Sequence, residues 1–493
     1  MSEKAFWSSR MAFILAAIGA AIGIGNVWRF PYMAYSNGGG AFLIPYTVAL
    51  ATAGIPLLIM EFGLGYKAKA GAPLSFRKLL GEGREWIGWM AVLVGFLTMT
   101  YYCTILAWAA DYTVFSTSLA YAGNTEAFFF GDFLGLSDNI GLFGNINWLI
   151  VAGAAFAWLW VYVAVIRGVR SVEKMAYVTV VLPWLLILLF VVRGVTLPGA
   201  MDGIAYYLTP DFSVLLDPQV WLAAYGQIFF TLSLGWGVMI AYASYLPEKS
   251  DIGKNAVIIA VANSVTSIVA GFAVFSTLGY MAHQADVPIT EVVRGGIELA
   301  FVTYPAAIQL LPFGAPVFGV LFFLMLLSLG IASAFATIEA VNRAVIDQTD
   351  LPRRLVVPAV CISGFLLGLF FTTSSGYQWL DIADHYLSFF ALVLVGALEA
   401  VAVGHLYGAD LMRRFINAHS EIVVGRWWDL CIRYVAPVLL FTALGFSLVK
   451  GVAEPYGGYP LWANAFGWGL VLFVPIGAVA IAWAVQKKER RTL

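Results

Sequence analysis

The sequence predicts an all-α polytopic membrane protein of about twelve transmembrane helices, arranged as two inverted five-helix repeats with helices 1 and 6 broken. Three observations predict it. Of 493 residues, 61% are hydrophobic and 11% charged, with a mean hydropathy of +0.86. Soluble domains carry about 25% charged residues, more than twice this share. Apolar runs of the roughly 20 residues needed to cross hydrocarbon recur about twelve times. The first and sixth of these runs are punctured at mid-length by glycines and polar groups.

The first run, 11–35, contains Gly23-Ile24-Gly25-Asn26-Val27-Trp28-Arg29-Phe30-Pro31. A charge at that depth costs about 2.5–3.5 kcal/mol on the mildest scale and normally marks a water-lined pathway. Glycines spaced this way let the backbone unwind, which a membrane tolerates only where protein or a cavity surrounds it. Further apolar runs follow at 41–66, 88–118, 147–166 and 175–195. The sixth, 220–246, repeats the interruption with Gly226, Gln227, Thr231, Ser233, Gly235 and Gly237. Interrupted segments in matching places of two halves point to a binding site at the repeat interface. The competing reading of the glycines is helix packing, which does not call for Asn26 and Arg29 as well. The remaining runs lie at 255–282, 316–346, 355–373, 380–407, 430–452 and 463–486. One membrane domain therefore fills 1–493, with a first repeat at 11–195, a second at 220–407 and two additional helices at 430–486.

Charge fixes the orientation. Of the 27 Lys and Arg, only Arg193, Arg294 and Lys450 fall opposite the face that holds the N-terminus, with Arg29 in between. The positive-inside rule predicts that both termini are cytoplasmic. No cleavable leader is expected, because the first run is long and lacks a small-residue cleavage site. Outside, 283–315 carries a helix-like stretch at 290–301 before Tyr304-Pro305, read as a lid. Inside, 67–87 and 408–429 are expected at the interface.

Cys103, Cys361 and Cys431 form no disulfide framework, and His283, His385, His405 and His419 show no metal-ligand spacing. Gly23-x-Gly25 lacks the preceding strand of a dinucleotide fingerprint. The net charge of -1 gives no sign of nucleic-acid binding, and no nucleophile–base constellation suggests an enzyme.

The chain resembles the neurotransmitter:sodium symporter family, whose bacterial members transport amino acids. The resemblance covers nearly its whole length. It rests on the 23–31 motif, on Asn37-Gly38-Gly39-Gly40-Ala41-Phe42-Leu43-Ile44-Pro45-Tyr46, on Leu208-Thr209-Pro210-Asp211-Phe212, on the 227–237 run and on Leu329-Gly330-Ile331-Ala332-Ser333. It implies uptake of an amino acid coupled to Na+ by alternating access. A first sodium site is implied at the Ala21 carbonyl, Asn26, Thr231 and Asn263, completed by the substrate carboxylate. Neutral oxygens suit a monovalent cation, whereas tight divalent sites prefer carboxylates. An interhelical hydrogen bond is the alternative for Asn26 or Asn263 taken singly.

A second sodium site is implied at the Gly19, Ile22 and Leu329 carbonyls and the Ser333 hydroxyl. Relatives usually carry Thr, Ser or Asp where this chain has Ala332, so one oxygen is lost; a weakened but occupied site is expected, with single-sodium transport as the alternative. Chloride-dependent members resemble this chain at Tyr46, Gln227, Thr231 and Ser267. Chloride-independent relatives usually have a carboxylate where Ser267 stands. A buried cation needs a compensating anion, so Cl- dependence is expected, against the alternative that Ser267 merely bonds its own backbone.

The resemblance places the substrate carboxylate at the amides of Ile24 and Gly25 and the Tyr102 hydroxyl, and the ammonium at carbonyls of Ala21, Phe230, Thr231 and Ser233. Thr98, Tyr102, Ile105, Phe230, Ser233, Trp236, Ser333 and Thr337 line the side-chain pocket. Relatives that carry monoamines place Asp where Gly23 stands, so its absence favours a substrate with its own carboxylate. Trp236, shared with glycine-carrying relatives, shrinks the pocket and favours a small neutral amino acid such as glycine or alanine. The outer gate is expected to pair Arg29 with Asp384 above Tyr102 and Phe230. The inner gate is expected to pair Lys4 with Asp347, beside Trp7 and braced by Tyr245; a solvated Asp347 is the alternative. Glu61 and Glu339 read as structural hydrogen-bonding acids. Partners are the substrate and membrane lipid. A proton-coupled carrier on the same fold, or a channel or non-transporting sensor, are the competing functions.

Overall fold

The computed structural model describes residues 6–349 and 351–492, so Lys4 and its expected pairing lie outside the described residues. The fold is helical throughout the described residues, with two isolated bridges, Gly39 to Pro210 and Ile146 to Thr373, in place of strands. The first apolar run forms α1 (Arg10–Ala21) and α2 (Gly25–Ser36), bent by 53° across their break. Then come α3 (Gly40–Ala68), α4 (Glu85–Phe115), α5 (Trp148–Val165) and α6 (Val169–Val195). The sixth run forms α7 (Pro218–Thr231) and α8 (Val238–Ser244). The remainder are α9 (Ile252–Ala285), α10 (Ala315–Thr349), α11 (Arg353–Thr372), α12 (Gly376–Asn417), α13 (Arg426–Gly458) and α14 (Leu461–Lys488). Among the described residues ten of these are long and apolar enough to cross a membrane, and the bent α1–α2 pair makes an eleventh. At 14 and 7 residues, α7 and α8 are too short to cross singly. Six non-helical residues, 232–237, separate them.

Burial sorts the helices into a centre and a rim. The most apolar window of α4 is 78% buried and that of α10 67%, whereas α13 and α14 are 17% buried. α4 and α10 run along each other through the middle, and α1 packs on α6, α9 and α10. α8 lies against α3 so closely that a Cβ on Gly65 would sit 1.9 Å from the Ile240 carbonyl oxygen. The two breaks themselves meet where the Ser233 hydroxyl reaches the Ala20 carbonyl.

Both breaks follow from their residues. Ser9 starts α1 by accepting the Ala12 amide at 3.1 Å. At the far side of α1, Ile22 turns extended (φ -80°, ψ 99°). The Asn26 Oδ1 then accepts the Gly23 amide at 2.9 Å, a side-chain bond that substitutes for the helical one. In the second break Ser233, Gly235 and Gly237 all have positive φ, at +53°, +75° and +69°. Glycine adopts this without cost. Ser233 is the strained member, held there by its hydroxyl, which donates to the Ala20 carbonyl at 2.9 Å.

The expected lid helix over 290–301 is corrected. A short turn, Ile289–Val292, stops before Gly295 and Gly296, and helix resumes from Gly296 to Gln309 through a wide turn at Leu299–Thr303. The paired glycines, with Gly296 at φ +60°, interrupt the periodicity. Arg294 pins the bend by pairing with Glu126 at 2.7 Å and Glu298 at 3.0 Å. The interfacial stretches expected at 67–87 and 408–429 contribute the helices Ala72–Leu80 and Ala409–Asn417.

Candidate functional site

A cavity of about 760 Å³ opens where the two breaks meet. Its base is formed by Ala20, Ala21, Gly23, Ile24, Thr231, Ser233, Ser333 and Thr337. From there it runs past Thr98, Tyr102, Ile105, Phe230 and Trp236 to Arg29, Asp384, Arg294 and Tyr456. All of the residues expected around a substrate therefore face one space. The Tyr102 hydroxyl lies against the Ile24 amide and the Ser333 hydroxyl. The Asn26, Val27 and Trp28 amides already donate to the Gly23 and Ile24 carbonyls, so the Ile24 and Gly25 amides at the positive end of α2 are the seat for an anionic group.

Trp236 packs edge-on to Phe230, ring centroids 6.3 Å apart. The indole is seated over Gly95, whose Cβ would lie 3.9 Å from Trp236 Cε3. Thr337 donates to the Ser333 carbonyl at 2.9 Å. The Ser333 and Thr337 side chains and the Trp236 and Phe230 rings line the same cavity.

Behind the cavity, Asn26, Thr231, Asn263 and Ser267 form a buried cluster, none more than 4% exposed. The Asn26 amide donates to Asn263 Oδ1 at 2.9 Å and to the Ser267 hydroxyl at 2.8 Å. Asn263 donates to the Thr231 hydroxyl at 3.1 Å. The donor set is neutral oxygen, and among the described residues no three His, Cys, Asp or Glu converge on a metal position. Amide and hydroxyl oxygens of this kind fit a monovalent cation.

Tyr46 donates to Ser264 at 3.2 Å and also contacts the Ser267 hydroxyl. Gln227, one turn before Thr231, is 1% exposed, and neither its amide nitrogen nor its oxygen has a partner among the described residues. A buried amide left unpaired costs about 1–3 kcal/mol, so a ligand beside it has a donor to engage. At the place expected for a second cation, Ser333 donates to the Ala20 carbonyl at 3.3 Å. A Cβ on Gly19 would meet the Ala332 methyl at 3.5 Å, so α1 and α10 face each other there across a methyl.

The gate residues are placed asymmetrically. Arg29 stacks on Phe230 (4.2 Å) and Phe389 (5.1 Å), and no ion pair joins it to Asp384 among the described residues. Asp384 instead accepts the Tyr101 hydroxyl at 2.8 Å and the Ser388 hydroxyl at 3.2 Å. At the opposite end the Trp7 indole donates to the Tyr242 carbonyl at 2.9 Å and the Trp7 amide to the Tyr245 carbonyl at 3.1 Å. Tyr245 donates to Glu339 at 2.8 Å, and Arg353 forks onto the same carboxylate. Asp347 accepts the Gly71 amide at 2.7 Å and pairs with Arg343 at 3.0 Å.

Sequence reasoning missed Tyr101, Phe389, Arg343 and Arg353. Tyr101 adjoins Tyr102, and a helix turns consecutive residues to neighbouring faces; that was the available signal. Arg343 stands one turn before Asp347, an i,i+4 spacing that was an available signal as well; the Arg353–Glu339 contact joins two helices and carries none.

A family model described as the sodium:neurotransmitter symporter family matches residues 4–124 and 117–488. The chain belongs to the sodium:neurotransmitter symporter family. It is 43% identical to an uncharacterised sodium-dependent transporter of Methanocaldococcus jannaschii, over 99% of this chain and 98% of that protein. It is 35% identical to the sodium- and chloride-dependent GABA transporter 2 of Rattus norvegicus, over 98% of this chain and 87% of the relative. It is 33% identical to the human sodium- and chloride-dependent neutral and basic amino acid transporter B(0+), over 99% and 86%. As a member of the symporter family, the chain is a multi-pass, sodium-dependent transporter.

Proposed function

We propose that this symporter imports a small neutral amino acid with sodium, and that chloride serves as counter-ion. The carrying observation is the buried Asn26–Thr231–Asn263–Ser267 cluster directly behind the cavity base, where α2, α7 and α9 meet. A sodium ion would sit among the Asn26, Thr231 and Asn263 oxygens and the Ala21 carbonyl, with the substrate carboxylate between it and the Ile24 and Gly25 amides. One charge then holds the other in place, so each ligand raises the affinity of its partner by the same factor. Chloride would be held by Tyr46, Gln227, Thr231 and Ser267; the unpaired Gln227 amide supports this. Trp236 over Gly95 supports glycine or alanine over larger substrates. The halves 11–195 and 220–407 would move as inverted repeats. The Trp7 end, bolted through Tyr245 and Glu339, would be the cytoplasmic side, with both termini there in a bacterial inner membrane, and the Arg29–Asp384 end would face outward. Closing Arg29 onto Asp384 would seal the substrate in. Lys4 is the proposed partner of Asp347 in the inner gate.

A second reading, transport with one sodium, is favoured by the Ala332 methyl against Gly19. Three carbonyls, from Gly19, Ile22 and Leu329, and the Ser333 hydroxyl would be all that remains of the second site. Ligands that bind the folded state raise its apparent stability. A thermal-shift panel of the twenty amino acids in sodium or potassium, with chloride or gluconate, tests the proposal. Stabilisation by glycine or alanine that needs sodium and weakens in gluconate is expected. Equal shifts in sodium and potassium contradict sodium coupling, and equal shifts in chloride and gluconate contradict the chloride site.

A further inference from the structure

A groove runs along the outside of the molecule between α5 and α11. Each of these helices buries 44% of its most apolar window, so both also face outward. They close on each other where Trp158 of α5 lies over Gly364 of α11; a Cβ on that glycine would stand 2.2 Å from the indole. Beside this wedge, Leu159, Tyr162, Pro358, Ile362 and Phe365 line a cavity of about 320 Å³. No charged side chain lines it, and Leu159 and Ile362 are exposed at its rim. Such a groove offers an acyl chain a fixed seat, and nothing in the transport cycle proposed above uses it.

One end of the groove is basic. Arg354 stands one helical turn before Pro358, and Arg167 follows Tyr162 by five residues. The two arginine-bearing ends meet, because the Arg353 guanidinium donates to the Val165 carbonyl at 3.0 Å and a Cβ on Gly168 would lie 3.4 Å from Arg353 Cζ. Arg353 is itself engaged with Glu339. Arg167 and Arg354 are exposed, and among the described residues no hydrogen bond, ion pair or ring contact engages either side chain. Acids on the adjoining stretches are taken: Glu173 accepts the Ser8 amide at 3.1 Å, and Asp347 pairs with Arg343. This is the latched end of the molecule, since Glu339 also holds Tyr245, and the proposed orientation makes it cytoplasmic. A guanidinium matches a phosphate geometrically, and basic pockets between helices on that side of a membrane bind anionic headgroups.

We propose that the α5–α11 groove binds an anionic phospholipid, with an acyl chain along Leu159, Ile362 and Phe365 and the phosphate at Arg167 and Arg354. The seat adjoins the inner latch through Arg353. The transport reading enters only through the leaflet named, and binding to the solubilised protein tests the site without it. Native mass spectrometry of the full-length protein in detergent, titrated with phosphatidylglycerol or with phosphatidylcholine of the same acyl chains, is the experiment. The wild type is expected to take up phosphatidylglycerol in preference to phosphatidylcholine. Arg167→Gln and Arg354→Gln are each expected to weaken that binding about fivefold. Ile362→Trp, which fills the groove, is expected to abolish it with both arginines in place. Equal uptake of the two lipids overturns the proposal, as does phosphatidylglycerol binding untouched by either arginine change. A folded Ile362→Trp protein that still binds overturns the groove as the acyl seat; should that variant not fold, the two glutamine variants decide. A dimer that Ile362→Trp dissociates, with neither lipid preferred, assigns the groove to a second copy of the chain and overturns the lipid site.

Discussion

Ser267 and Trp236 are the two residues at which chemistry most sharply divides the functional readings. If chloride compensates the buried sodium, a fixed carboxylate at position 267 does the same work. Uptake by Ser267→Glu is then expected to be indifferent to replacing chloride with gluconate, while wild-type uptake falls about tenfold, worth about 1.4 kcal/mol. Equal gluconate sensitivity of the two proteins contradicts the chloride role. At Trp236 the indole fills the space over Gly95. Trp236→Phe is expected to improve competition by leucine relative to alanine about tenfold, the scale of one or two methylenes in an apolar pocket; competition assays in liposomes measure it. Asn26 and Thr231 stood out in the sequence because they lie inside the interrupted runs, whereas Asn263 and Ser267 sit in an ordinary apolar run and were pointed to only by the family resemblance. Tyr101 and Phe389, which hold Asp384 and Arg29, were not legible, because their contacts cross 283 residues of chain or more and depend on the rotation of whole helices.

Broken helices 1 and 6 were readable as elements because their mid-run glycines come with Asn26, Arg29 and Gln227, which helix packing does not call for. The lid was misread as one helix because the 290–301 periodicity outweighed Gly295 and Gly296, which the chain uses to turn. Two substitutions probe the element scale. Gly235→Ala places a side chain at φ +75° and 3.0 Å from Phe229 Cζ. It is expected to destabilise by about 1–2 kcal/mol and to lower the midpoint of thermal unfolding, with uptake slowed as well. Gly65→Ala is more severe, since its Cβ meets backbone oxygen at 1.9 Å and forces α8 off α3. Overpacking of this kind costs about 1–3 kcal/mol or more, and a wild-type unfolding midpoint for Gly65→Ala contradicts the close packing described.

At the scale of the whole molecule, one end is latched and the other open. Trp7, Tyr245, Glu339 and Arg353 lock the first end, while Arg29 lies on Phe230 and the cavity continues past it. Cys103, Cys361 and Cys431 are all buried, so a cysteine placed at Thr337 reports on the cavity base against a low background. Labelling of Thr337→Cys by a membrane-impermeant thiol reagent is expected from the Arg29 side, and to slow when sodium and substrate together close the gate. Labelling from the Trp7 side only contradicts the assigned orientation. The most direct measurement is equilibrium binding of labelled glycine or alanine to the purified protein, titrated with sodium, in the wild type and in Asn263→Ala. Binding that requires sodium, with a sodium requirement shifted about tenfold or more upward in Asn263→Ala, is the expected result. Binding equally tight in sodium and potassium, or a sodium requirement untouched by Asn263→Ala, would contradict a site shared between the two broken helices.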